Sequence, residues 1–179
     1  LNATTYTALD GAVKADADVT FTGAVDLMAG GTTTTVTVAN DADAKITFTS
    51  TIDDDTAGET NLTLVAGLGS IELQGDAGVT TRLGAFTISS AAQADLDDID
   101  ADLIAVTATN IDLNATTYTA LDGTVAANAD VTFTGAVDLT AGAATTTVTV
   151  ADDAGAKITF TSTIDDDNAG QTNLTLVAG

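Results

Sequence analysis

A long internal repeat is the feature that most limits what this chain can fold into. Residues 1–67 return as residues 113–179 at an offset of 112, and ten of the 67 aligned positions differ. A long period with strand-like segments inside it is typical of solenoids and domain arrays. The sequence predicts one repeat unit over 1–112 and the truncated start of a second over 113–179, in one continuous solenoid. Because the second copy stops at Gly179, we expect a window on a longer protein.

Short alternating triplets predict β-strands. Each triplet places two apolar residues on one side and a Thr or an acid on the other, as a half-buried strand requires. Gly, Asn and Asp clusters between the triplets are turn chemistry, and no long helical pattern occurs. The chain is therefore predicted to be all-β. The clearest triplets are Val19–Phe21, Val25–Leu27, Val36–Val38, Ile46–Phe48, Leu62–Leu64, Ile71–Leu73 and Phe86–Ile88.

The spacing of the triplets predicts stacked coils. Successive starts are separated by 27, 25, 23, 17 and 20 residues, so the 112-residue repeat holds about five coils of about 22 residues. Three short strands per coil describe a right-handed parallel β-helix, a β-solenoid whose coils bury their apolar sides against their neighbours. At roughly 4.8 Å per coil, one repeat rises about 24 Å. The starts are Val19, Ile46, Ile71, Ala94, Ile111 and Val131.

The alternative fold is a series of tandem immunoglobulin-like β-sandwiches, because 112 residues is also a plausible domain length. Pro and Trp are absent from the chain. Strand starts that recur with a sub-period near 22 residues differ from the seven unequal strands of a sandwich. Both observations favour the solenoid.

The charge and hydropathy of the chain argue against two classes of partner. The formal net charge is −22, with four basic residues. Binding of nucleic acid depends on neutralising phosphates, so no nucleic-acid partner is expected. No membrane insertion is predicted for this segment either, because no transmembrane run is visible. An acidic surface repels copies of itself, which suits an extracellular polymer.

Catalysis has little support in the composition. His and Cys are absent, which removes imidazole bases, thiol nucleophiles and the usual zinc sites. Carboxylate pairs could serve glycoside chemistry, but the aromatic and basic residues that would hold a sugar chain are scarce. The chain is predicted not to be an enzyme.

Calcium is the one cofactor that the sequence suggests. Asp53, Asp54 and Asp55 return as Asp165, Asp166 and Asp167, and carboxylate oxygens are the ligands that Ca²⁺ takes. The preceding turn, 41–43, holds two further acids that we expect within reach, and the acidic run 95–102 is a second candidate. The alternative interpretation is a set of solvated turns that keep a fibre soluble, because no EF-hand loop occurs and Glu59 becomes Gln171.

Two stretches carry a resemblance to a known family. ITFTSTIDDD…NLTLVAGLGSIELQGDAG over 46–78 and LGAFTISSAAQADL over 83–96 resemble the filamentous-haemagglutinin-like family of large bacterial exoproteins and related autotransporter passenger domains. The resemblance implies a secreted, extracellular or cell-surface protein with a β-helical stalk used in adhesion or biofilm. It carries over no binding residue.

These observations together predict a structural stalk or fibre segment of a large bacterial surface adhesin or filament. Its expected partners are further repeats of the same chain, copies of itself in a filament, and glycans of a host or neighbouring cell surface. The alternative function is a glycan- or cell-binding module that holds Ca²⁺ in its acidic turns.

Overall fold

A computed structural model describes residues 6–28, 33–113, 118–121, 123–127, 130–133, 136–139, 145–150, 155–166 and 173–178. These residues form strands and turns, with no helix among them. The strands in chain order are β1 (Tyr6–Leu9), β2 (Ala12–Lys14), β3 (Val19–Phe21), β4 (Ala24–Leu27), β5 (Thr33–Thr37), β6 (Lys45–Phe48), β7 (Ile52–Asp54), β8 (Asn61–Val65), β9 (Ser70–Leu73), β10 (Leu83–Ser90), β11 (Gln93–Leu96), β12 (Ala101–Ala108), β13 (Asn110–Leu113), β14 (Tyr118–Leu121), β15 (Gly123–Ala127), β16 (Val131–Phe133), β17 (Ala136–Leu139), β18 (Thr145–Val150), β19 (Ile158–Phe160), β20 (Ile164–Asp166) and β21 (Asn173–Val177).

The chain passes through three faces in a fixed order. The first face contains the sheet β1-β4-β7 and, in the second repeat, the sheet β14-β17-β20. The second face is an eight-stranded sheet that begins at β2 and ends at β21, and the third is a seven-stranded sheet from β3 to β19. Between β7 and β14 the first face narrows to bridges from Ile52 to Ala77 and from Ala77 to Ile99. The second and third sheets therefore run through both repeats.

The fold is a β-solenoid, as the sequence predicted. Strands of each sheet belong to successive coils and pair in parallel. A sandwich has antiparallel sheets, so the immunoglobulin-like alternative is wrong.

The predicted coil starts are register partners on the third face. Val19 aligns with Ile46, which aligns with Ile71. The ladder continues through Ala94 and Ile111 to Val131. All five predicted steps are confirmed, including the short one after Ala94. A one-residue slip would turn the apolar side of a strand outward, so burial selects this register although the coils differ in length.

The interior is a narrow column of aliphatic and aromatic side chains. On the third face Phe21 stacks on Phe48 with ring centroids 4.5 Å apart and an interplanar angle of 9°. The repeat reproduces the pair as Phe133 on Phe160, also at 4.5 Å. Offset-stacked aromatic pairs add to the free energy of burial, so these pairs reinforce the contact between coils.

Among the described residues, sequence differences between the repeats avoid this interior. Eight of the ten substituted positions of the first repeat lie in described residues, and all eight are exposed. Two of them, Ala12 and Lys14, occupy outward positions of β2. The inward-facing residues of the described strands are thus unchanged between the copies. The eight positions are Ala12, Lys14, Asp16, Met28, Asn40, Asp43, Thr56 and Glu59.

One corner of the solenoid requires a glycine. Gly67 has a φ of +61°, and a Cβ there would lie 2.2 Å from Asn40 Oδ1. The same Asn40 oxygen accepts a hydrogen bond from the N–H of Leu68 at 2.9 Å. The backbone of one coil therefore packs directly against a side chain of the coil before it.

Candidate functional site

The predicted ligands Asp53, Asp54 and Asp55 begin in a strand rather than in a turn. β7 alternates, so Ile52 and Asp54 are buried while Asp53 lies between them on the outward side. Asp55 follows the strand and is exposed. Successive side chains of a strand point to opposite faces, so the structure does not gather the three carboxylates around one point.

Two of these carboxylates accept backbone hydrogen bonds. Asp53 Oδ1 accepts from the N–H groups of Thr80 at 3.0 Å and Thr81 at 3.1 Å, one coil further on. Asp54 Oδ2 accepts from the N–H groups of Glu59 at 3.1 Å and Thr60 at 2.8 Å. Hydrogen bonds of N–H groups to an ionised acceptor are stronger than neutral ones. Both residues therefore have a structural task at the corners.

A carboxylate that the sequence reading missed lies beside this strand. Asp26 in β4 is the register partner of Asp53. An open cleft of about 440 Å³ lies beside this pair and is also lined by Asp54, Asp55 and, from the next coil, Thr81. Burial, and then the charges of Asp55, Asp53 and Asp54, raise the pKa of Asp26 above its usual value. The cleft is thus strongly anionic.

A second acidic cluster lies further along the first face. Oxygen atoms of Asp76, Asp97 and Asp98 lie within 4.8 Å of one another. Burial raises the pKa of Asp76, and the charges of Asp97 and Asp53 raise it further. Two of the three belong to the acidic run that the sequence offered as a second candidate, whereas Asp76 was missed. Asp76 lies 22 residues before Asp98, which is the average length of one coil. Counting back one coil from the acidic run would therefore have predicted that Asp76 lies beside it.

Other acids of the acidic run and the preceding turn lie elsewhere. Asp95 belongs to β11 on the third face, where its Oδ1 accepts a hydrogen bond from Gln93 Nε2 at 2.8 Å. The expectation that Asp41 and Asp43 stand beside Asp53 is wrong. They lie at the corner between the second and third faces, in an open cleft of about 250 Å³ shared with Asp16 and Asp18.

The second repeat offers the same residues at its last described coil. Asp165 aligns with Asp138 and Asp166 aligns with Leu139. Asp165 is exposed and Asp166 is half-buried, while Asp167 lies outside the described residues. The prediction of Ca²⁺ at Asp53–Asp55 and Asp165–Asp167 stays a prediction.

Two of the four basic residues, Lys45 and Lys157, engage structural partners on the third face. Lys45 Nζ forms an ion pair with Glu72 of the next coil, and Gln74 Nε2 donates to the same carboxylate. The hydrogen bond from Lys45 lowers the pKa of Glu72. In the second repeat Lys157 lies 4.0 Å from Asp130. These contacts join neighbouring coils.

Comparisons with known proteins give no relative. No family model, no curated protein and no solved structure matches the chain. Among the described residues there is also no helix long and apolar enough to cross a membrane. The resemblance to the filamentous-haemagglutinin-like family therefore stays a prediction.

Proposed function

We propose that this chain is a structural stalk or fibre segment of a large extracellular bacterial surface adhesin or filament, and that it acts through its length and stiffness. The observation that carries the proposal is the uninterrupted parallel ladder of the third face from Val19 to Ile158. Such a ladder adds roughly 4.8 Å per coil, and hydrogen bonds join every coil to the next.

The pattern of variation supports the same function. The described substitutions between the repeats are exposed, so in the described part of the chain the outer surface changes while the stacked interior does not. A binding module is held to a particular outward arrangement of side chains, whereas a rod depends on its interior. The acidic surface adds repulsion between rods, which opposes bundling.

A length measurement tests this proposal. Proteins with one, two and three copies of residues 1–112 are compared by small-angle X-ray scattering and negative-stain microscopy. A rod lengthens by about 24 Å for each added repeat, at a constant cross-section. Repeats that fold separately on flexible linkers would instead give a maximum dimension that varies from particle to particle, and that result contradicts the proposal.

Adhesion is measured separately. The 179-residue chain is applied to a glycan array and to cultured cells, with an unrelated acidic protein as the control. A stalk segment gives no signal above the control. Saturable binding would favour the alternative function, a glycan- or cell-binding module, and repeating it with a calcium chelator would show whether Ca²⁺ takes part.

A further inference from the structure

A polar group is enclosed in the interior where the chain turns from the first face to the second. Asp54 ends β7 and is 2% exposed, and Thr60, which precedes β8, is fully buried. Asp54 Oδ2 accepts the N–H groups of Glu59 and Thr60. The turn 54–60 is therefore wound around one oxygen of a buried carboxylate.

Three other oxygen atoms at this corner are buried without a hydrogen-bond partner in the part of the chain that the structure describes. They are Asp54 Oδ1, Thr60 Oγ and Thr34 Oγ. Thr34 belongs to the preceding coil, and it aligns with Leu62, two residues after Thr60. Both threonines are fully buried, and Thr60 directly precedes β8. With about 4.8 Å between strands and about 3.3 Å per residue, their Cα atoms lie about 8 Å apart.

Buried polar groups in folded proteins are almost always hydrogen-bonded to protein or to ordered water. A buried polar group without a hydrogen-bond partner costs the free energy of its lost hydration, and this cost is larger for an ionised group. The neighbour of Asp54 in the coil before is apolar, because Leu27 aligns with Asp54 and is fully buried. A small ligand that both donates and accepts hydrogen bonds would satisfy all three atoms.

The number and charge of these atoms identify the ligand. Ca²⁺ takes six to eight oxygen ligands, whereas this corner offers three unpaired side-chain oxygen atoms, of which one belongs to a carboxyl group. The neighbouring carboxylate of Asp53 points outward and accepts the N–H groups of Thr80 and Thr81. A buried water molecule typically makes about three hydrogen bonds, which matches the atoms present.

We propose that one water molecule binds inside this corner and bridges the two coils. It donates one hydrogen bond to Asp54 Oδ1 and the other to Thr34 Oγ, and it accepts the hydroxyl proton of Thr60. The bridge couples the turn 54–60 to the coil that contains β5. This site does not depend on the rod function, because the three atoms need a partner whatever the segment does.

The threonine-to-valine substitution tests the proposal because it removes a hydroxyl at nearly constant shape. In the 179-residue chain, Thr60→Val and Thr34→Val are each expected to lower the melting temperature by about 2–4 °C. The double variant should lose less than the sum, because both changes release the same water. Thr63→Val, on the outward side of β8, is the matched control and should leave the melting temperature nearly unchanged.

The opposite sign would overturn the proposal. If the hydroxyls have no ligand, valine removes a desolvated polar group and raises the melting temperature. Oxygen-17 magnetic relaxation dispersion supplies a direct measurement, and the wild-type chain should hold one more long-lived water than Thr60→Val. Equal numbers would contradict the proposal. A melting temperature that falls with a calcium chelator in the wild type, but not in Asp54→Asn, would show that a cation occupies the corner instead.

Discussion

Leu64 and Leu176 are the same residue of two repeats in different surroundings, and they allow the stabilisation by coil stacking to be measured. Leu64 is fully buried between Val36 of the coil before and Ile88 of the coil after. Leu176 aligns with Val148 on one side and is 49% exposed. The local sequences NLTLVAG are identical, so propensity and turn chemistry cancel in the comparison.

The expected magnitudes follow from these surroundings. Leu64→Ala removes a fully buried side chain and leaves a cavity between two coils, which costs about 2–5 kcal/mol. Leu176→Ala opens no closed cavity and loses about half of the burial, so its cost is below about 1.5 kcal/mol. In a chain of this size each kcal/mol shifts the melting temperature by about 2–4 °C. We therefore expect a fall of at least about 4 °C for Leu64→Ala and a clearly smaller fall for Leu176→Ala.

Thermal and urea unfolding, followed by circular dichroism on both variants, measure this difference. Urea midpoints and slopes are fitted together, because coils of a solenoid can unfold in separate steps. Equal destabilisation by the two substitutions would refute the reasoning, since it would mean that the following coil adds nothing to the stability of Leu64. A larger effect at Leu176 would refute it as well.

Three further predictions concern charge and backbone. The fold raises the pKa of Asp26 and of Asp76, so protonation of either carboxyl favours the folded state. The free energy of unfolding should therefore rise as the pH falls from 7 through their folded pKa. Asp26→Asn should raise the melting temperature at pH 7 and reduce this pH dependence. Sodium chloride should raise the melting temperature by screening the net charge of −22. If the predicted calcium site exists, Ca²⁺ at equal ionic strength should raise the melting temperature further, and this additional rise should be smaller in Asp53→Asn. An equal rise in the wild type and in Asp53→Asn contradicts that site. Gly67→Ala should lower the free energy of unfolding in urea by about 2–4 kcal/mol, because of the positive φ at Gly67 and its contact with the preceding coil. Gly11 has a φ of +87° and open space where a Cβ would lie, so Gly11→Ala should cost about 1 kcal/mol. Equal costs would contradict the close packing at Gly67.

The pH prediction has an opposing contribution from the third face. The pKa of Glu72 is lowered by its contact with Lys45, so the stability it adds is present above its unfolded pKa and is lost as pH falls through the folded one. Stability therefore rises with falling pH only above the ordinary pKa of carboxyl groups, which is about 4. Lys45→Ala should remove the opposing contribution, and melting curves that continue below the ordinary carboxyl pKa of about 4 would show it.

The coil register could be predicted because the apolar triplets allow few alignments. Ile46, Ile71 and Ile111 each begin a triplet with one apolar side, and the ladder of the third face follows those starts. The first face was harder to predict, since at Ala77 and Ile99 it consists of bridges without a triplet. Asp97, Asp98 and Asp100 surround Ile99 and hide its apolar position in an acidic run.

The candidate site was predicted less well than the fold, and strand alternation explains why. Three consecutive aspartates suggest an exposed turn, because an ionised carboxylate is costly to bury. Alternation from the buried Ile52 places Asp54 inside, where the N–H groups of Glu59 and Thr60 compensate one of its oxygens. That compensation comes from the turn geometry, which the sequence does not reveal. Asp26 and Asp76 were missed because neither belongs to an acidic run.

Coils of unequal length share one register, so the length of this molecule depends on the number of its coils and not on the number of its residues. The step from Val19 to Ile46 takes 27 residues and the step from Ala94 to Ile111 takes 17, yet each adds the same roughly 4.8 Å of rise. The additional residues lie at corners, where lengthening a loop costs little free energy. A rod built this way can change charge and shape at its corners while its rise per coil stays constant. For a protein that acts through length, selection then acts on the number of coils and on their inward side chains. Exposed corner positions such as Asp43 and Glu59, which differ between the repeats, are free to vary.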